Sequence, residues 1–125
     1  MKLVSALAVC LLIYACQPFE NSVRDGIGAA NGYVNKALQQ YPQCAVKGST
    51  GTQCAIIHKG ADSINVAVDA LELYCASPSF ADGTGSCSPP TNKADKNQAV
   101  NKLRAALTSM NRNIADVKFL AGVKP

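Results

Sequence analysis

The stretch Cys54–Cys75, CAIIHKGADSINVAVDALELYC, decides how the chain folds. Its apolar and small residues Ile57, Ala61, Ile64, Val68, Leu71 and Cys75 recur at alternating spacings of four and three, the heptad pattern of a helix that packs along its whole length. Ile56, Ala67, Ala70 and Tyr74 widen that stripe beyond a two-stranded seam, so the helix is expected to bury itself against two neighbours. Asp62, Asn65, Asp69 and Glu72 take the opposite side. The β-branched Ile64, Val66 and Val68 favour strand locally. Period-two alternation fails within a few residues, however, and the run far exceeds a usual strand of about five or six residues.

The two neighbours lie on either side of it in the chain. Upstream, Glu20 to Tyr41 carries Val23, Ile27, Ala30, Val34, Ala37 and Tyr41 at the same four-and-three spacing, and Pro42 stops it. Gly26, Gly28 and Gly32 fall inside this segment, each costing up to about 1 kcal/mol relative to Ala in a helix. Close packing, or an irregularity at Gly26, is therefore expected to offset them. With no strand ahead of them and the wrong spacing, they are not a dinucleotide-binding loop. Downstream, Lys93 to Leu120 carries Val100, Leu103, Leu107, Met110, Ile114 and Val117, with Ala121 continuing the series. Thr91 or Asn92 is the expected cap of that helix, and Thr52 of the central one. Polar connections, Gln43 to Gly51 and Pro78 to Pro90, separate the three. The economical fold is all-α, an antiparallel three-helix bundle over 20–125 with two loop disulfides.

Six cysteines in 125 residues point to an oxidising compartment, where disulfides supplement a small core. The beginning of the chain agrees. Lys2 is followed by an apolar run, Leu3 to Ala15, that falls short of the roughly 20 residues needed to cross a bilayer and reads as a signal peptide over 1–15. Its end, Leu12-Ile13-Tyr14-Ala15-Cys16, resembles the lipobox of bacterial lipoproteins: Ile13 is the apolar residue three before the cysteine and Ala15 the small one just before it. Tyr14 is bulkier than that family usually carries. The resemblance covers residues 1–16 only. It implies cleavage before Cys16, lipid on the Cys16 thiol, a short spacer over 16–19, and a protein exported to the bacterial envelope and held on its membrane. The alternative is a signal cut just after Cys16 that releases an unlipidated extracellular protein, such as a carrier of a small ligand between its helices. Cleavage removes Cys10 in either case, and four cysteines remain to pair once Cys16 is lipidated or lost.

Four cysteines allow three pairings, and the expected fold selects one. Cys54 and Cys75 stand at opposite ends of the central helix, about 30 Å apart at 1.5 Å per residue, against the 4.4–6.8 Å or so that a disulfide usually spans. Cys44 is therefore expected to pair with Cys54, and Cys75 with Cys87. The same separation keeps the four thiols from forming a metal site, and the chain has no Cys-x-x-Cys pair.

Little in the sequence points to catalysis. His58, the one histidine, has Lys59 beside it and reads as a surface or hydrogen-bonded side chain. Asp69 and Glu72 are spaced as surface neighbours on a helix. Phosphate loops, nucleophile elbows, zinc-helix motifs and haem-attachment motifs are all missing, so neither an enzyme nor a cofactor is expected. Charge is uneven. From Thr91 onward Lys93, Lys96, Lys102, Arg104, Arg112, Lys118 and Lys124 face only Asp95 and Asp116. Lys102, Arg104 and Arg112, off the apolar stripe, are the candidate contacts to an anionic surface or an acidic envelope protein; the competing reading is an ordinary solvated face, its charge diluted by Asn97, Asn101, Asn111 and Asn113. Nucleic acid is not an expected partner, because the chain is exported and aromatic residues make up only 6% of it. The expected function is that of a non-enzymatic envelope lipoprotein, a binding or interaction module. Its stapled loops, Ala45 to Gln53 and Ala76 to Ser86, are further candidates for recognition.

Overall fold

Pro18 fixes the backbone ahead of the first helix, α1 (Phe19–Gln40), in the computed structural model, which describes residues 18–123. The expected signal peptide over 1–15, Cys16 with its proposed lipid, and Lys124 lie outside the described residues. The Pro18 carbonyl accepts hydrogen bonds from the amides of Asn21 at 3.0 Å and Ser22 at 3.2 Å, so the helix starts without a side-chain cap. Past Tyr41, Pro42–Ala45 forms one 3-10 turn.

The central helix, α2, runs Thr52–Cys75, and Thr52 is its first residue rather than its cap. Gly51 takes the cap position with φ of 115°, a conformation that glycine adopts without penalty, and no side chain caps the helix. At the other end Ala76 turns left-handed at φ 52°, and the amides of Ala76 and Ser77 both donate to the Glu72 carbonyl. The third helix, α3, spans Lys93–Leu120 as expected. Asn92 caps it, its Oδ1 accepting from the amides of Ala94 at 2.9 Å and Asp95 at 3.3 Å. Among the described residues there is no strand.

The three apolar stripes meet in one core. Val23, Ile27, Ala30, Val34 and Ala37 of α1 are all buried, as are Ile57, Ile64, Ala67, Leu71, Tyr74 and Cys75 of α2. From α3 come Leu103, Ala106, Met110, Ile114 and Val117, followed by Ala121. Tyr41, Ala61, Val68, Val100 and Leu107, all expected on the buried stripes, are only half-buried, and on α3 Ala106 is buried instead. Burying each large aliphatic side chain stabilises the fold by about 1.5–3 kcal/mol before conformational entropy is charged.

Cross-helix contacts fix the antiparallel order. Phe19 at the start of α1 meets Tyr74 at the end of α2 edge-on, with ring centroids 5.9 Å apart. Arg24 lies 4.8 Å above the ring of Phe80, a buried residue of the second loop. At the opposite end of the bundle Gln40 Nε2 donates to the Ala121 carbonyl at 2.9 Å, and Lys118 lies 4.7 Å over Tyr33. The start of α1 thus shares an end with the second loop. The first loop shares the other end with the end of α3.

The α1 glycines do not pack closely. A Cβ added at Gly26, Gly28 or Gly32 would meet nothing within 4 Å, and the helix is unbroken through all three. Gly28→Ala and Gly32→Ala are therefore each expected to stabilise the protein by up to about 1 kcal/mol, read from denaturant midpoints at unchanged m-value.

Tyr74 carries a pH dependence. Burial, and then the nearby carboxylate of Glu20, push its phenol above the usual value of 10.0. The folded state consequently holds this proton where the unfolded state releases it. The stability it contributes is complete below about pH 10 and falls as pH rises through the raised folded-state value. Tyr74→Phe is expected to flatten that alkaline loss, measured by thermal unfolding between about pH 8 and 11.

Candidate interaction surface

The two staples hold the ends of the bundle. Cys44 is joined to Cys54 and Cys75 to Cys87, with Cα atoms 4.9 Å and 4.2 Å apart, the pairing expected from the fold. Two such bridges suit an oxidising, exported compartment. Among the described residues no helix is long and apolar enough to cross a membrane.

His58 belongs to the first staple. Its Nε2 lies 2.8 Å from the Cys44 carbonyl, which can only accept, so that nitrogen bears the hydrogen. Ser49 Oγ is 3.3 Å from the same nitrogen and donates to the same carbonyl at 3.2 Å. With its lone pair replaced by an N–H, Nε2 cannot take a proton from Ser49. The pair therefore fastens the first loop to α2 and is not arranged as a nucleophile and base. Among the described residues no cluster of three or more His, Cys, Asp or Glu could hold a metal ion.

The structure distributes the three basic candidates around α3 and does not gather them. Lys102, Arg104 and Arg112 are all exposed. At about 100° per residue, however, Arg104 points some 160° away from Lys102 and Arg112 some 80° away. Lys102 faces α2, where it lines a groove of about 670 Å³ between α2 and α3. The apolar wall on α2 is Val66, Ala70 and Leu73; α3 supplies Ala99, Ala105 and Ala106. Val66 is 58% and Leu73 72% exposed, large apolar side chains that the core leaves out. Charged side chains edge the groove, Asp69 from α2 with Asp95 and Lys102 from α3. A second hollow of about 610 Å³ adjoins it, sharing Asp69 and Leu73 and adding Glu72 and Pro78.

Sequence periodicity did not single out this groove. The stripe reports which side of α2 faces inward and says nothing of apolar residues off it such as Val66 and Leu73. Their spacing of seven was the available signal, since residues seven apart fall on one helix face. The second loop is also less open than its composition suggests. Phe80 is buried, and a Cβ on Gly85 would strike the hydroxyls of Ser79 at 2.5 Å and Ser77 at 2.6 Å.

The class defined by these features is an antiparallel three-helix bundle, stapled at both ends, with an open apolar groove along two of its helices. No known protein family, curated protein or solved structure matches the chain.

Proposed function

We propose that this protein is a non-enzymatic interaction module of the bacterial envelope, held on a membrane by lipid on Cys16 and engaging its partner through the groove between α2 and α3. The observation that carries the reading is the groove itself. A scaffold fixed by a disulfide at each end leaves Val66 and Leu73 in water, and a contiguous apolar surface of this kind is stabilised by being covered. The lipobox-like Leu12-Ile13-Tyr14-Ala15-Cys16 supports the anchor. An anionic surface remains a proposed contact for Lys102, Arg104 and Arg112, met along α3 one charge at a time.

Mass spectrometry of the mature amino terminus, with detergent partitioning of wild type and Cys16→Ala, tests the anchor. Wild-type protein is expected in the detergent phase with an acylated first cysteine, and the variant in water or unprocessed. Wild-type protein in the aqueous phase with an unmodified terminus overturns it.

A further inference from the structure

We propose that the groove between α2 and α3 receives a cationic amphipathic helix from a partner, laid along the pair as a fourth helix. This rests on the reading of the groove as the interaction surface and adds the chemistry of what fills it. The length of the groove is the first argument. On α3 it runs from Asp95 to Ser109, about 20 Å at 1.5 Å per residue, and its α2 wall runs from Val66 to Leu73, about 10 Å, so two to four turns of an incoming helix can lie along it. Its cross-section is the second. Ala70, Ala99 and Ala106 keep the floor low enough for a helix to approach at the usual 8–10 Å or so between axes, while Val66 and Leu73 stand up as anchors beside it.

Charge identifies the occupant. The chain as a whole carries a formal net charge of +4, yet the groove and its adjoining hollow are edged by three carboxylates, Asp69, Glu72 and Asp95, against the single ammonium of Lys102. The local sign is opposite to the global one. An apolar floor with an acidic edge is complementary to a helix whose apolar stripe is flanked by Lys or Arg, and it disfavours the same helix carrying Glu.

The test titrates the full disulfide-bonded chain, in mild detergent at physiological salt, with a synthetic Leu/Lys amphipathic helix of about 18 residues, long enough to fold on contact. Leu/Glu and Leu/Gln versions serve as controls. The Leu/Lys peptide is expected to bind roughly tenfold or more tighter than the Leu/Glu peptide, and to weaken as salt rises. Asp69→Asn with Asp95→Asn should reduce its affinity roughly three- to tenfold, the range for exposed ion pairs, and Leu73→Ser about tenfold. All three positions lie outside the core, and circular dichroism checks that the variants remain folded. Equal binding of the Leu/Glu peptide overturns the charge assignment while leaving the groove as a binding surface. Failure of all three peptides at millimolar concentration overturns the groove reading as well. Binding indifferent to Leu73→Ser places the peptide elsewhere and overturns the proposal. So does self-association of the chain that is lost on Leu73→Ser, which makes a second copy the occupant.

Discussion

Replacing Cys75 and Cys87 by Ser is expected to lower the stability of the bundle by about 3 kcal/mol, and replacing Cys44 and Cys54 by a similar amount. Each bridge joins residues 10 or 12 apart in sequence, and a closed loop of that size restricts the unfolded chain to this extent on the chain-entropy argument. The two losses should add. Cys54 and Cys75 stand at opposite ends of α2, about 30 Å apart, far beyond the 7–10 Å or so within which substitutions usually couple. Their sum, about 6 kcal/mol, is comparable to the whole stability of many single domains. Urea unfolding of the two paired variants and of the quadruple variant reads this directly. Coupling above about 1 kcal/mol would contradict the independence of the two ends. The secondary ties differ: the first loop keeps the hydrogen bonds of His58 and Ser49 to the Cys44 carbonyl, and the second keeps Phe80 under Arg24.

Gly60→Val should destabilise the protein by about 2–3 kcal/mol, the range for forcing methyl groups into a filled core. Gly60 is buried in the middle of α2, and a Cβ built on it would lie 2.6 Å from Val117 Cγ2 and 3.5 Å from Ile114 Cδ1. Both of those side chains are themselves buried, so neither has open water to move into. Gly60→Ala is the finer probe. The same substitution that should stabilise at Gly28 should destabilise here, because the clash outweighs the gain in helix propensity of about 1 kcal/mol. Denaturant midpoints of the two variants moving in the same direction would show that α2 and α3 do not approach closely at this point.

Those glycines mark how far the sequence could be read. The spacings of Val23 to Ala37, Ile57 to Cys75 and Leu103 to Val117 gave the helices, and helix length gave the disulfide pairing, because both follow from local geometry. Which glycine permits a close approach depends on what stands opposite, and composition directed attention to Gly26, Gly28 and Gly32 rather than to Gly60. The groove was hidden for a related reason. Periodicity distinguishes the inner side of α2 from the rest, but α1 covers only one side of the α2–α3 pair, and the periodicity of neither helix says how much of the other side stays open. Lys102, Arg104 and Arg112 share only a positive charge and a place off the apolar stripe, and the turn of the helix sends them to different sides.

Three is an odd number of passes, so a chain that enters the bundle at one end leaves it at the other. Phe19 sits beside Tyr74, while Ala121 is tied to Gln40 at the far end, the length of a 22-residue helix away, or about 33 Å. Tethering through Cys16 would stand the bundle on its second loop, with the first loop and the end of α3 raised like the tip of a post. A reporter fused beyond Val123 would then sit at the maximum height the fold allows above the bilayer. One inserted at the Gly83 turn would lie near the headgroups, and quenching by lipid-borne probes would tell the two apart.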